Sequence, residues 1–165
     1  SRNPVSKANR IVFTGNIIYY TIMSRPRIVI DTNVIIAALR SRRGASALLL
    51  SLLAEGRFEM HLSIPLALEY EDVLLRQRSE LGLSIDDVDA LVDSLCAMSV
   101  RHERIYFNWR PSLPDERDEH ILDLAVMGNC EAIITYNIRD LGGAGQFGIR
   151  VIDPQTFLRE IGAIP

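Results

Sequence analysis

Three carboxylates in this chain occupy positions that simple solvation does not explain, and together they are of the kind that holds a cation. Asp31 ends the apolar run Arg27-Ile28-Val29-Ile30, and a helical pattern follows at once. That places it at the carboxyl end of a strand, the edge of an open parallel sheet where ligands bind. Glu69 falls beside Val73 on the apolar stripe (Leu66, Tyr70, Val73, Leu74) of a helix expected from about Pro65 to Arg78, given ~100° of rotation per residue. Asp118 lies one turn before Ile121 and Leu122, on the apolar face of a helix expected over Glu116 to Met127. Burying an unpaired carboxylate is costly, so Glu69 and Asp118 each need a partner. An arginine, of which the chain has seventeen, is one such partner. The other is a metal ion shared with Asp31, since oxygen ligands without lysine or histidine suit Mg2+ or Mn2+. Spacing alone leaves both open. A fourth acid, Asp140, follows the strand Ile133-Ile134-Thr135 in the turn Tyr136-Asn137-Ile138-Arg139-Asp140, with Asn137 beside it. It matters only if that strand end lies close to Asp31 in the same sheet.

The elements that must position these groups alternate in type. Strands are expected at Arg27–Ile30, Phe58–Leu62, Ala132–Thr135 and Arg150–Ile152, with a short one within 100–105. Between them, helices are expected at Val34–Leu39, Ala45–Glu55, Pro65–Arg78, about 85–98 and Glu116–Met127. Ser63 is placed to cap the third of these, and Ser84-Ile85-Asp86-Asp87 reads as a capping box with Asp in place of Glu. Asp153-Pro154 supplies a cap and first-turn proline for a closing helix. Alternating strands and helices imply an α/β fold with a mainly parallel sheet. The stretch 106–114, with the single Trp109, reads as a loop, and Gly142-Gly143-Ala144-Gly145 as a flexible connection.

A chain of 165 residues, 48% hydrophobic and 24% charged, is the size and composition of one globular domain. A formal charge of −3 argues against non-specific nucleic-acid binding, though a local basic groove remains compatible with it. Cys96 and Cys130 lack metal-ligand spacing, which points to reduced thiols and no zinc. No apolar run reaches membrane-spanning length, and a cytoplasmic location is expected. Residues 1–22 differ in kind: they hold the only lysine, Lys7, and no acid. We read them as an extension outside the domain, loosely ordered, with a short strand at most at Arg10–Phe13, and the domain as 23–165.

In order along the chain, four segments resemble the PIN-domain family, and more narrowly its branch of toxin components from toxin–antitoxin pairs. They are Ile30-Asp31-Thr32-Asn33-Val34, Leu68-Glu69-Tyr70-Glu71-Asp72-Val73-Leu74, Asp115 to Ala125, and Ile134 to Leu141. The ending Val151 to Leu158 fits as well, so the resemblance spans roughly residues 27–158. It implies a three-layer α/β/α sandwich with a mainly parallel central sheet. It also implies hydrolysis of RNA phosphodiesters by a Mg2+- or Mn2+-dependent ribonuclease, with Asp31, Glu69, Asp118 and Asp140 as catalytic and metal-binding residues. Thr32, Asn33 and Asn137 would be supporting polar groups. Many relatives carry an acid where Asn137 stands, which leaves open whether Asn137 or Asp140 completes the site. A small antitoxin protein is the implied partner.

Other residues suit blander roles. Thr32 and Asn33 also suit capping of the helix they begin, and Arg40, Arg42 and Arg43 suit a solvated turn. His61, His102 and His120 lack ligand spacing, with His120 expected to point away from the Asp118 face, and Asp123 is expected in solvent. The helix at 45–53 is apolar almost all round, which suggests deep burial or a homodimer face. Rival acid-site folds fit poorly: a haloacid-dehalogenase phosphatase needs an acid at position 33, and a receiver domain a late lysine. A catalytically silent RNA- or protein-binding scaffold and a housekeeping RNA-processing nuclease stand as alternatives.

Overall fold

The computed structural model describes the backbone of residues 9–14, 17–22, 24–103 and 116–165, and side chains for 24–103 and 119–165. Strands β1 (Asn9–Thr14) and β2 (Ile17–Ile22) pair antiparallel as a hairpin forming its own two-stranded sheet. The short strand expected at Arg10–Phe13 falls within β1. Both strands are rich in Ile, Val, Tyr and Thr, residue types that favour extended backbone.

The main sheet has five strands: β3 (Arg27–Ile30), β4 (Glu59–Ser63), β5 (Val100–His102), β6 (Ala132–Ile134) and β7 (Arg150–Ile152). Their spatial order is β5-β4-β3-β6-β7, and every pairing is parallel. The chain therefore builds outward from β3 in one direction, then crosses back to lay β6 on its other side. The boundary between β3 and β6 is a topological switch point, where a crevice opens beyond the carboxyl ends of the strands. Ile28, Val29 and Ile30 of β3 and Ala132, Ile133 and Ile134 of β6 are fully buried, as parallel strands covered on both faces require. Each buried Ile or Val contributes about 1.5–3 kcal/mol of apolar burial.

Helices α1 (Thr32–Arg40), α2 (Ala45–Ala54), α3 (Ile64–Leu81), α4 (Ile85–Met98), α5 (Glu116–Met127) and α6 (Pro154–Glu160) complete the α/β sandwich. Helix α5 packs against β3, β4 and β6, α1 lies between α2 and α3, and α2 meets α6. The expected caps form. Ser63 accepts from the Leu66 N–H at 3.3 Å, and Ser84 and Asp87 make a reciprocal capping box. Asp153 accepts from the Thr156 N–H at 2.7 Å. Gly82 closes α3 in the left-handed region at φ 68°, where a side chain is strained. Phe58 and Phe157 meet edge to face with centroids 5.3 Å apart, tying the start of β4 to α6.

Three local expectations are corrected. Gly142–Phe147 is a 3-10 helix with Ala144 fully buried, not a flexible connection. Ile85, which helical spacing groups with Val88, Leu91, Val92 and Leu95 in one apolar stripe, is 55% exposed: it stands at the first position of α4, ahead of the part that Val88 and Leu95 bury. Asp123 is buried rather than solvated, because α5 lies against three strands and sinks a wide face holding Ile121, Leu122, Leu124 and Ala125. Burial raises its carboxyl above the usual range, with the charge of Glu119 adding to the effect. The expected loop 106–114, with Trp109, lies outside the described residues.

Candidate active site

The register of β3 and β6 builds the site. Ile30 pairs with Ile134, so the next residues, Asp31 and Thr135, emerge side by side from the carboxyl edge of the sheet. The Asp31 N–H bonds the Ile134 carbonyl at 2.9 Å, and the Thr135 N–H the Ile152 carbonyl at 3.0 Å, fixing both backbones. Asp31 is the N-cap residue of α1, yet its carboxylate caps nothing. Its Oδ2 instead accepts from Thr135 Oγ1 at 2.6 Å and from Asn33 Nδ2 at 3.0 Å.

Thr135 uses its whole hydrogen-bonding capacity here. While donating to Asp31 it accepts from Asn33 Nδ2 at 3.1 Å and from the Asn137 N–H at 2.9 Å. Asn33 Oδ1 accepts from the Tyr136 N–H at 3.2 Å, so this one amide stitches the β3 exit to the β6 exit. Asn137 in turn donates from Nδ2 to Asp140 Oδ2. Capping does not account for Thr32 or Asn33: Thr32 Oγ1 donates to Glu69 Oε1 at 2.5 Å.

Glu69 reaches this point from α3. Its other carboxylate oxygen, Oε2, pairs with His120 Nε2 of α5 at 2.9 Å. His120, expected to have no part in the site, is drawn into it: the facing of α5 and α3 lets the imidazole reach Glu69. Behind the site, the buried Tyr70 hydroxyl donates to the Ile30 carbonyl and anchors α3 to the end of β3.

The electrostatics follow from this packing. Asp31 is only 9% exposed, and burial holds its carboxyl above the ordinary aspartate value. The Thr135 hydroxyl acts in the opposite direction, and the charge of Glu69 pushes it up again. A cavity of about 690 Å³ opens over these groups, walled by Asp31, Thr32, Asn33, Glu69, Tyr136 and Asn137 and, further out, by Arg40 and Gln77.

Of the residues singled out from sequence, Asp31, Glu69, Thr32, Asn33 and Asn137 are therefore brought together. Asp140 is exposed and joined to the group through Asn137. Asp118 lies on α5, but its side chain is outside the described residues. Thr135, Tyr136 and His120 were missed as site residues. The position of Thr135 straight after a buried strand, matching that of Asp31, was the available signal for it.

For a hard divalent cation the donor chemistry fits: two carboxylates on a crevice, one of them desolvated and raised by its neighbour's charge, a cost that a cation relieves. Among the described residues, no cluster of three or more His, Cys, Asp or Glu side chains is placed to hold a metal. Asp31 and Glu69 are thus a partial set.

A parallel α/β sheet with carboxylates at its switch point defines a broad class of proteins. Comparison with known proteins narrows it: residues 27–139 match the PIN domain family, and the chain belongs to that family. The fold is also that of a chain in the 2.2 Å structure of VapBC-1 from nontypeable Haemophilus influenzae. The TM-score is 0.53 at 16% identity, over 78% of this chain and 98% of that one. No curated protein sequence matches the chain.

Proposed function

We propose that this protein is a metal-dependent endoribonuclease and the toxin of a toxin–antitoxin pair. The observation that carries the reading is Asp31: a buried, raised carboxylate at the switch point, beside Glu69, in an open groove. PIN domains are in general nucleases that depend on divalent metal, and this donor set is suited to that chemistry.

In this reading Asp31 and Glu69 hold Mg2+ or Mn2+, with Asp118 and Asp140 as further ligands, directly or through water. When bound, the ion supplies an acidified water and charge stabilisation for phosphodiester hydrolysis. The chain's own groups prepare the ligands. Thr135 and Asn33 fix one Asp31 oxygen by two hydrogen bonds. Thr32 and His120 hold the two Glu69 oxygens from opposite elements. Arg40, on the groove wall, offers a cation to an RNA phosphate, which answers the acidic net charge with local basicity.

The toxin assignment rests on the resemblance of the four segments to that branch, and the fold shared with VapBC-1 supports it. It brings a small antitoxin as partner and a cytoplasmic setting; among the described residues no helix is long and apolar enough to cross a membrane. Homodimerisation belongs to the same reading: α2 buries Leu49, Leu52 and Leu53 and leaves Leu48 exposed. The test is RNA cleavage titrated with Mg2+ and Mn2+ against EDTA, together with purification from the native host. Metal-dependent cleavage and a co-purifying small inhibitor are expected. Cleavage unaffected by EDTA contradicts the metal assignment, and an active protein with no inhibitor favours a housekeeping nuclease.

A further inference from the structure

The wall of the groove opposite in chemistry to the acids is an aromatic ring. Tyr136 follows Thr135 at the exit of β6, lines the same cavity as Asp31 and Glu69, and is 52% exposed. An exposed tyrosine is ordinarily a loose side chain, but this one is tied at both ends. Its hydroxyl shares a 2.8 Å hydrogen bond with Ser46 Oγ, and Ser46 is 2% exposed near the start of α2. Its backbone N–H bonds Asn33 Oδ1, and Asn33 holds Asp31. The ring is therefore fixed relative to the acid at the centre of the site while presenting open surface to the groove.

A rigid, open aromatic surface is what unpaired bases stack on, and pre-ordering it removes the entropic cost of holding the ring still. Every base has a π face, so such a surface accepts any sequence, whereas the bases of a duplex are already stacked and cannot reach it. Arg40 lines the groove as well, its guanidinium bonded to Gln77 Oε1 at 2.8 Å and 3.7 Å from Glu80, and adds a cation for the backbone. We propose that Tyr136 is a base-stacking platform that seats the nucleotide next to the acids. This rests on the RNA-cleaving reading above and names a residue that positions its substrate.

The test uses a fluorescein-labelled 12-nucleotide oligouridine, its duplex with oligoadenosine, and versions carrying one abasic position. Kinetics are measured in Mn2+ for the wild type, Tyr136→Ala and Tyr136→Phe. Stacking of ~1–3 kcal/mol per base corresponds to a KM for the single strand about 5- to 150-fold higher in Tyr136→Ala. Tyr136→Phe keeps the ring but loses the Ser46 tie, so its KM should rise by about 2- to 10-fold, the cost of ordering a loose ring, and by less than in Tyr136→Ala. An abasic nucleotide beside the cleaved bond should weaken wild-type binding by a similar factor and Tyr136→Ala hardly at all, since the two changes remove one contact. A wild type that cleaves the single strand with KM unchanged in Tyr136→Ala overturns the platform and leaves the nuclease reading standing. Equal losses in the Phe and Ala variants overturn it too, assigning the effect to the Ser46 tie. A wild type that neither binds nor cleaves the oligonucleotide overturns both.

Discussion

Replacing Thr135 by valine keeps the shape of a fully buried side chain and deletes one hydroxyl, which makes it a sharp probe of the site. The hydroxyl donates to Asp31 at 2.6 Å and accepts from Asn33 at 3.1 Å and from the Asn137 N–H at 2.9 Å. A hydrogen bond to an ionised carboxylate contributes ~1.5–3 kcal/mol, and the Asn137 N–H, part-buried, adds up to ~1 kcal/mol. Thr135→Val should therefore cost about 2–4 kcal/mol in metal-free protein at neutral pH. The penalty also has a sign in pH. Burial already raises the Asp31 carboxyl and the hydroxyl lowers it, so the variant's carboxyl must rise further. The difference between wild type and variant is thus fully present when Asp31 is ionised in both. It shrinks as pH falls through the variant's raised value and then the wild type's. Urea unfolding in EDTA, from pH 7.5 down to the lowest pH at which both proteins remain folded, measures this directly. A penalty below about 1 kcal/mol, or one that does not shrink with falling pH, would refute the reasoning.

Further outcomes follow from the same geometry. Without metal, Asp31→Asn removes a charge that burial disfavours and should raise Tm by about 2–4 °C per kcal/mol relieved; a lowered Tm contradicts the assigned burial cost. Mg2+ or Mn2+ should raise the wild-type Tm and leave that of Asp31→Asn unchanged, and an equal rise in both places the ion elsewhere. His61 is held below its usual pKa first by burial and then by His102, whose Nε2 lies 2.8 Å from its Nδ1. Its contribution to stability is therefore complete above the unfolded value near ~6.5 and falls as pH drops below it, so His61→Gln should flatten that part of the stability profile. Gly128→Ala would set a Cβ 2.6 Å from His61 Nδ1 and 2.9 Å from Cys130 Sγ. Overpacking of this kind should cost about 1–3 kcal/mol in unfolding experiments, and a neutral outcome shows that the histidine pair yields freely.

How much of this was legible in the sequence depends on the range of the interaction. Local signals carried well: Ser63, Ser84 and Asp153 cap the helices they were expected to cap, because capping is settled within four residues. Periodicity placed Glu69 on the apolar side of its helix, where it meets Thr32. It misplaced Asp123, since helical periodicity does not reveal how wide a face the tertiary packing covers. His120 was misread for a related reason: a side chain on the flank of one helix is brought into the site by a second helix, α3. Thr135 follows a buried strand as Asp31 does, but its bond to Asp31 is set by the β3–β6 register, a pairing between residues about a hundred positions apart. The 3-10 helix over Gly142–Phe147 was hidden by glycines that locally favour a flexible chain, while burial of Ala144 holds it in place.

The central claim is that Asp31, with Glu69, is the heart of a metal-dependent RNA-cleaving centre. Its most direct test is the single-turnover cleavage rate of a single-stranded RNA in saturating Mn2+, for the wild type and for Asp31→Asn purified in parallel. The account predicts that the wild-type rate vanishes in EDTA and that Asp31→Asn loses on the order of a thousandfold, as removal of a main electrostatic contributor does, while remaining folded. Equal cleavage by the two proteins would contradict it and would trace the activity to another nuclease in the preparation.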